Sequence, residues 1–407
     1  MPMNLAEMLC YADIEQLTRI ADTYRCECSS HSKNDLIQSI LIAVQRRDVL
    51  ESRVEDMSVG DIRFLNSLLF DQRASYSLEE LTARARTAEP ADPGQREREE
   101  APPPPVKNRK KSKTSASIEA PPDPDSAARS AIARFKRFGW LFNGFSHQTR
   151  FLYHVPEDVR SRLKDALARQ FRGKLELRGE PSVYRDERGL AVADMSQVLR
   201  FIRDNDTPLT TDSVLYKRQL QQLLDNLSVS EEIPGKSGWR FGYGRRFRDY
   251  PDRFSLLYDY GCFKGWLQEQ LDRLELSEEG FAYASGEKAI DPADLYQFWL
   301  RLYKSPIPNL NILVQWISLL SAEWTTVDSV ERILLPFVKE YYYDSASDVL
   351  RKRVIGNMMH LGLLRIGETE SREAVIRMTP QGRQLITGVE VGSEDHLSWI
   401  GGSFDFG

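Results

Sequence analysis

The stretch from Val354 to Gly388 constrains the fold of this chain more than any other part. Its pattern predicts a helix that ends near Leu361 and Gly362, then a strand, a charged turn, a second strand and a short closing helix. Gly362 can adopt the left-handed conformation that stops the first helix. Thr379 is a good N-cap for the closing helix, and Pro380 suits its first position because an N–H there would have no helical partner. The sequence therefore predicts a small module in which two helices flank a hairpin.

This order of elements is the pattern of a winged helix, a module that usually binds nucleic acid and sometimes binds only other proteins. Two earlier segments have a similar layout of helices followed by a hairpin. The first has a helix at 128–135, an aromatic strand at 151–156 and a helix to about Phe171, and the second has a leucine-faced helix at 220–227. We expect a mainly α fold of the α+β class. Tandem winged-helix-like units with short β-hairpins are expected at 126–205, 206–288 and 289–388.

Residues 1–87 are expected to form a small helical module. Helical spacing recurs at 14–21 and at 36–44, and Ser58 and Ser77 mark the starts of two further amphipathic helices. The helix–extended–helix pattern over 3–48, whose second helix opens Ser32-Lys33-Asn34-Asp35, resembles the SAP family of small DNA-binding modules. The resemblance implies a contact with DNA, and Lys33 is our candidate for it.

Residues 88–125 are expected to be a disordered linker that tethers this module to the body. Pro102 to Pro105 form a proline run, and almost nothing apolar follows until Ile118, so the segment cannot bury enough surface to offset its ordering entropy. The cationic run 107–113 makes Lys110 and Lys111 candidates for contacts with phosphates that do not depend on sequence. The run is also typical of a linker whose charges only keep it solvated.

The chain is acidic overall, with a net charge of −5 over 407 residues, which argues against a wholly basic coat protein for nucleic acid. Residues 1–88 and 389–407 each carry −4, so residues 89–388 carry +3. The acidic tail 389–407 also carries Trp399, Ile400, Phe404 and Phe406. Three interpretations of the tail are open: it docks on a basic groove of a protein partner, it folds back over the chain's own basic surface, or it is a frayed terminus.

The segment 236–253 is the best candidate for contact with nucleic acid. Its six basic residues are interleaved with aromatic ones and outnumber Asp249 and Asp252. Arginine pairs with phosphate, and aromatic faces stack on unpaired bases. The candidate contact residues are Lys236, Trp239, Arg240, Tyr243, Arg245, Arg246, Arg248 and Arg253, with Lys217 and Arg218 on the preceding helix. The alternative is a hairpin that only packs, since the period-two spacing of its aromatic residues puts them on one face.

Three short motifs resemble the accessory region of XPB-type DNA helicases and of related bacterial helicase-associated proteins. They are the helix that opens Tyr216-Lys217-Arg218, the aromatic strand that ends Val155-Pro156-Glu157-Asp158, and the closing turn Met378-Thr379-Pro380-Gln381. In that family the region sits beside a helicase motor and helps to engage DNA. This chain has no motor motifs, so the resemblance implies an accessory or stand-alone binder and not an unwinding enzyme.

No catalytic or metal-binding set stands out in the sequence. Cys26, Cys28 and His31 have no partner motif with metal-ligand spacing, and Cys10 is the only nearby candidate for the fourth ligand that structural zinc requires. The four cysteines show no disulfide framework. No nucleophile–base arrangement is recognisable, so we expect neither a cofactor nor enzymatic activity. No apolar run is long enough to span a membrane, and the first residues lack a basic signal region. We expect a cytoplasmic bacterial protein that can associate with the nucleoid.

The sequence thus favours a non-enzymatic DNA-binding accessory protein that grips DNA through winged helices and the basic-aromatic segment. The alternative is a protein–protein adaptor for a helicase or an RNA polymerase component, in which the winged helices are only scaffolds. The acidic composition and the acidic tail favour the adaptor.

Overall fold

The computed structural model describes residues 3–27, 32–71, 73–89, 124–235 and 243–388. It is mainly helical with small antiparallel sheets, which confirms the predicted α+β class. The chain divides into two compact units, Met1–Gly173 and Lys174–Gly407, called unit 1 and unit 2 below. Most of the predicted linker, with Lys110 and Lys111, and the acidic tail lie outside the described residues.

Unit 1 is built from helices and one short hairpin. The helices are α1 (Leu5–Tyr11), α2 (Ile14–Thr23), α3 (Lys33–Gln45), α4 (Arg47–Glu55), α5 (Val59–Leu69), α6 (Leu78–Ala88), α7 (Pro124–Arg137) and α8 (Glu157–Arg172). The hairpin pairs β1 (Phe142–Asn143) with β2 (Tyr153–His154). The predicted helix starts are confirmed, because Ser58 accepts a hydrogen bond from the Asp61 amide and Ser77 accepts one from the Glu80 amide.

The core of unit 1 extends well past the predicted N-terminal module. α7 packs against α2 and α6, and α8 packs against α4 and α5. The hairpin joins the same body, since Tyr76 and Tyr153 exchange backbone hydrogen bonds of 2.9 and 2.7 Å. Phe135 and Trp140 are buried in this core. The apolar faces of α7 and α8 therefore belong to the core of the first helices, and the division between the units falls inside the predicted segment 126–205.

Unit 2 holds the later helices and two sheets. Its helices are α9 (Leu190–Asp204), α10 (Lys217–Asp225), α11 (Asp252–Phe263), α12 (Glu278–Ala284), α13 (Pro292–Leu302), α14 (Leu310–Leu320), α15 (Val327–Leu334), α16 (Ala346–Asp348), α17 (Gly356–His360) and α18 (Pro380–Gly388). A 3₁₀ turn (Leu335–Phe337) follows α15, and a π-helix (Val349–Ile355) joins α16 to α17. The strands are β3 (Val183–Arg185), β4 (Leu267–Glu269), β5 (Leu274–Leu276), β6 (Thr325–Thr326), β7 (Leu364–Glu368) and β8 (Ala374–Met378).

The larger sheet of unit 2 has the strand order β3-β7-β8-β6, and every neighbouring pair is antiparallel. Its central hairpin pairs Leu364 with Met378 and Glu368 with Ala374. After α14 come β6 and α15, and then one continuous helix made of α16, the π-helix and α17. The hairpin β7–β8 and the closing helix α18 follow. β4 and β5 form a separate hairpin. The apolar helix α14 contributes to the core of unit 2 with four fully buried side chains, Leu313, Val314, Trp316 and Ile317.

The elements predicted for 354–388 are confirmed. α17 ends at His360, and Gly362 has a φ of +69° in a position where a Cβ would lie 2.7 Å from the Cα of Arg188. Thr379 caps α18, because its Oγ1 accepts a 2.9 Å hydrogen bond from the Gly382 amide and donates to the Leu363 carbonyl at 3.0 Å. The first helix differs from the prediction in its winding, since α17 continues from a π-helix.

Candidate nucleic-acid interface

Only part of the predicted basic-aromatic segment lies among the described residues. Lys236, Trp239 and Arg240 fall outside them. The described part begins with Tyr243, whose buried ring packs edge-on against Tyr303 and Tyr341 with centroid distances of 4.7 and 5.5 Å. Tyr243 therefore anchors the segment by packing, as the alternative interpretation of its spacing held.

Two of the predicted arginines share Glu269 as their ion-pair partner. Its carboxylate lies 3.0 Å from Arg245 Nη2 and 3.1 Å from Arg246 Nη2, and it accepts a 2.7 Å hydrogen bond from the Tyr258 hydroxyl. Arg246 also donates to the Asp212 carbonyl at 2.8 Å. A phosphate would have to compete with Glu269 for both guanidinium groups, so these arginines primarily fasten the segment to unit 2.

The prediction that Arg253 contacts nucleic acid is wrong, because Arg253 is only 1% exposed. Its Nη1 lies 2.7 Å from Asp194 Oδ2, and its Nε lies 3.3 Å from Glu187 Oε2. Both carboxylates are as deeply buried as the arginine. Glu187 also lies 3.2 Å from Nδ1 of His360. Burial acts to raise the Glu187 pKa, but His360 and the nearby arginines outweigh it, so the pKa is lowered. Arg253 thus supplies the positive charge that buried carboxylates require.

Asp259 and Gly244 together fix the backbone where the described segment begins. Asp259 is fully buried and accepts the Arg245 amide at 3.1 Å. Gly244 has a φ of +118°, at which any side chain would be strained, and a Cβ there would lie 2.0 Å from Asp259 Oδ2 and displace that carboxylate. Burial raises the pKa of Asp259 to about 7, while the Arg245 amide and the nearby arginines act in the opposite direction.

The remaining predicted cations differ in their surroundings. Lys217 and Arg218 are exposed at the start of α10, and Arg248 is exposed with its guanidinium 5.4 Å from the Phe247 ring. None of these three forms a salt bridge with a described residue. Two hydrogen bonds hold residues 212–215 against the basic-aromatic segment. Arg246 donates to the Asp212 carbonyl, and the Leu215 amide donates to the Tyr250 hydroxyl at 2.9 Å. Lys33 instead donates to the Cys10 carbonyl at 2.7 Å and holds the end of α1.

The π-helix at Val349–Ile355, which precedes the central hairpin of the larger sheet, presents little free positive charge. Arg353 is buried, with its Nε 3.0 Å from Asp344 Oδ2. Arg351 pairs with Asp328 and Glu331, and Lys352 pairs with Asp348. Because carboxylates already neutralise all three cations, this helix is poorly suited to phosphate contact in the conformation described.

A groove in unit 1 combines positive charge with exposed aromatic rings. It has a volume of about 840 Å³ and is lined by parts of α1, α2, α7, β1 and the hairpin loop. Its charged lining residues are the cations Arg19, Lys136, Arg137 and Arg150 and the carboxylates Asp13 and Glu15. We call it the unit 1 groove.

Three cations of the unit 1 groove form no salt bridge within the described part of the chain. Arg19 pairs with Glu15, whereas Lys136, Arg137 and Arg150 have no carboxylate partner there. Lys136 Nζ donates to Asn143 Oδ1 at 2.9 Å. Partial burial and the charge of Arg19 lower the pKa of Lys136, and Asp13 only partly offsets them. An anion placed beside this lysine would therefore gain from positive charge that is not yet compensated.

Aromatic rings stand beside these cations. Tyr11 and Phe145 stack with a centroid distance of 4.4 Å, yet they remain 64% and 36% exposed. Phe151 is 68% exposed, and the Arg150 guanidinium lies 4.6 Å from its ring centroid. The groove thus has both components of a surface for polyanions with aromatic bases.

The loop that carries Phe145 and Arg150 is held in one shape by its own hydrogen bonds. Ser146 and Thr149 exchange bonds of 3.1 Å between amide and hydroxyl, and their hydroxyls lie 2.8 Å apart. Gly144 permits the close turn, since a Cβ there would lie 2.3 Å from the Thr149 carbonyl oxygen. Asn143 donates to the Arg150 carbonyl at 3.2 Å. The groove wall is therefore preorganised.

Sequence reasoning missed the unit 1 groove because its residues come from segments far apart in the chain. One local signal existed, the run Arg134-Phe135-Lys136-Arg137-Phe138, in which cations and aromatic residues alternate as they do in 236–253. The structure divides that run by helical geometry: Phe135 is buried, Arg134 pairs with Asp61, and Lys136 and Arg137 face the groove.

Neither a metal centre nor a membrane-spanning helix occurs in the part of the chain that the structure describes. No group of three or more His, Cys, Asp or Glu residues there could hold a metal ion. Cys28 and His31 of the cysteine–histidine motif lie outside that part, and Cys26 Sγ lies 3.7 Å from the Ser39 carbonyl oxygen. No helix among the described residues is long and apolar enough to cross a membrane.

Comparison with known proteins adds no relative. No family model, no curated protein and no solved structure matches this chain.

Proposed function

We propose that this chain is a non-enzymatic accessory protein that binds nucleic acid, DNA being the expected ligand, through the unit 1 groove. The observation that carries the proposal is the group of three cations, Lys136, Arg137 and Arg150, that have no carboxylate partner among the described residues and stand beside exposed aromatic rings. Phosphates supply the negative charge that this surface lacks, and released counterions supply most of the affinity.

Unit 2 supports a second, weaker contact. Lys217, Arg218 and Arg248 are exposed and form no salt bridge with a described residue, so they are suited to sequence-independent pairing with phosphates. The last part of unit 2, with its order of helix, strand, helix, helix, strand and strand, is proposed to be a winged helix. The cations of the π-helix that precedes its hairpin are ion-paired, and Arg353 is buried. We therefore assign DNA contact to the exposed cations near α10 instead.

A salt titration with charge-neutralising variants tests the proposal. Three phosphate contacts predict that affinity falls about 20- to 40-fold between 50 and 200 mM salt, and further contacts would steepen the fall. Arg137→Gln/Arg150→Gln should weaken binding and make the slope of log affinity against log salt shallower by about 1.4 to 1.8. Fluorescence anisotropy with labelled oligonucleotides measures both quantities.

The matched control is Arg46→Gln/Arg47→Gln. These two exposed arginines lie in the same unit, outside the groove lining, and pair with Asp48 and Glu51. The control removes the same amount of charge as the groove variant. Because this charge lies outside the groove lining, the salt slope should stay close to that of the wild type. Equal effects of the two double variants, or a flat salt response of the wild type, would contradict a role for the groove.

The second candidate function is a protein–protein adaptor, for which a helicase or an RNA polymerase component is the expected partner. The neutralised arginines of unit 2 favour it, because Arg245, Arg246, Arg351 and Arg353 all serve internal ion pairs. A protein retained by the full chain in nuclease-treated lysate, together with no direct binding to oligonucleotides, would select the adaptor over the nucleic-acid binder.

A further inference from the structure

We propose that the unit 1 groove takes a single-stranded segment of nucleic acid whose phosphates pair with Lys136, Arg137 and Arg150. Its unpaired bases stack on Tyr11 and Phe145 in the groove and on Phe151, which lies outside the lining next to Arg150. This inference rests on the proposed function and specifies its ligand. A duplex keeps its base faces inside the stack, so a surface that binds only duplexes has no use for exposed aromatic faces beside its cations.

The aromatic rings at the groove are exposed to solvent. Tyr11 and Phe151 leave about two thirds of their surface in water, at 64% and 68% exposure. A single exposed ring needs no explanation, but a group of exposed rings beside cations is typical of an interaction surface. Tyr11 and Phe145 cover one face of each other at 4.4 Å, and bases can stack on the faces that stay open.

Positive charge and an aromatic ring lie next to each other at Arg150 and Phe151. The Arg150 guanidinium lies 4.6 Å from the Phe151 centroid, lines the groove and has no carboxylate partner among the described residues. An arginine in this position can pair with a phosphate while its aromatic neighbour stacks on the adjoining base. Lys136 has a similar arrangement, since its Nζ lies 5.5 Å from the Tyr153 ring centroid.

The groove also has a suitable size and a fixed wall. A groove of about 840 Å³ lies within the volume range of small-molecule sites, so it has room for unstacked nucleotides. The Ser146–Thr149 bonds fix the loop that carries Phe145, and the Phe145 ring stacks on Tyr11. A preorganised ring loses little entropy when a base stacks on it.

Binding of an oligothymidine strand and of a hairpin duplex of equal length, measured by anisotropy over the same salt range, tests the inference. We expect the wild type to prefer the single strand. Phe145→Ala and Phe151→Ala should each weaken single-strand binding about 5- to 100-fold, which corresponds to the loss of one stacked base, and should leave the salt slope unchanged. Phe281→Ala is the control, because Phe281 is an aromatic residue of unit 2 with 51% exposure.

A crosslinking measurement keeps the test independent of folding. A single strand in which 5-bromouracil replaces thymine should, under ultraviolet light, attach to Tyr11, Phe145 or Phe151 of the wild-type chain, and mass spectrometry of the digest locates the attachment. Equal affinity for both oligonucleotides with a steep salt slope, unaffected by the aromatic changes and without crosslinks at these rings, would overturn the inference but leave the proposed function standing. Loss of all salt-dependent binding would overturn both.

Discussion

Replacing Arg253 with methionine should lower the free energy of unfolding of unit 2 by about 3–5 kcal/mol, because two buried carboxylates would lose their cation. Asp194 and Glu187 lie 2.7 and 3.3 Å from the guanidinium and are almost completely buried. The guanidinium nitrogens make no aligned hydrogen bond within the described structure, so the stabilisation comes from charge pairing and we expect the lower end of the range, about 3 kcal/mol. Methionine keeps most of the apolar volume.

The pairing itself is measured by a double-mutant cycle. Asp194→Asn removes a charge but keeps the oxygen that accepts the Ser228 amide at 2.7 Å. Combined with Arg253→Met, it should restore at least about 1.5 kcal/mol relative to the sum of the single changes. Urea denaturation and hydrogen exchange of the peptides from α9 and α11 in the full chain follow unit 2 specifically.

The exposed Arg218 provides the control, since Arg218→Met should change stability by no more than about 0.5 kcal/mol. If Arg253→Met were equally mild, the argument that Arg253 holds a buried charge network would be refuted. If it abolished nucleic-acid binding without lowering stability, Arg253 would be a contact residue and not a structural one.

Three further changes test other parts of unit 2. Burial raises the Asp259 pKa from 3.8 to about 7, so its contribution to stability is complete below pH 4 and is lost as the pH rises through 7. The loss reaches about 4 kcal/mol, and urea midpoints measured against pH should therefore fall less steeply in Asp259→Asn than in the wild type. Gly244→Ala should lower the free energy of unfolding by more than about 2 kcal/mol, because its Cβ would lie 2.0 Å from Asp259 Oδ2; a cost below 1 kcal/mol in urea denaturation would contradict that packing. Thr379→Val should cost about 1–2 kcal/mol and speed hydrogen exchange at the start of α18, whereas Thr387→Val near its exposed end should not.

The local elements were predictable because their signals are local. Helix periodicity, the caps at Ser58, Ser77 and Thr379 and the left-handed Gly362 all depend on a few neighbouring residues, and the structure confirms each of them. The π-helix at Val349–Ile355 was not predictable in this way, because an α-helix and a π-helix of this length present similar apolar spacing.

The division into units was less accessible to sequence reasoning. The segment 88–125 separates two helical regions, so the sequence predicts a different body on either side of it. The structure instead places α7 against α2 and α6 and α8 against α4 and α5. An amphipathic pattern predicts that a helix buries one face, but it does not predict which element packs against that face.

The arrangement of charges shows why a count of cations along the sequence misplaces a binding surface. The segment 236–253 has a net charge of +4 in isolation. Its described arginines Arg245, Arg246 and Arg253 nevertheless pair with Glu269, Glu187 and Asp194, which lie outside that window. Arginine close to aromatic residues is as suitable for fastening a loop to a core as for holding a phosphate, since both tasks use the same planar donors.

The distinction between these two uses of arginine is made by what lies opposite the cation in three dimensions. In the unit 1 groove, Arg137 and Arg150 have no carboxylate opposite them within the described structure, and the pKa of Lys136 is lowered by burial and by Arg19. Beside Glu269, by contrast, an added phosphate would first have to break existing ion pairs. Neutralising Arg245 and Arg246 should therefore cost mainly stability, and neutralising Arg137 and Arg150 should cost mainly affinity. That opposite division of effects is what a groove for a polyanion requires and what a surface of merely solvated charges would not produce.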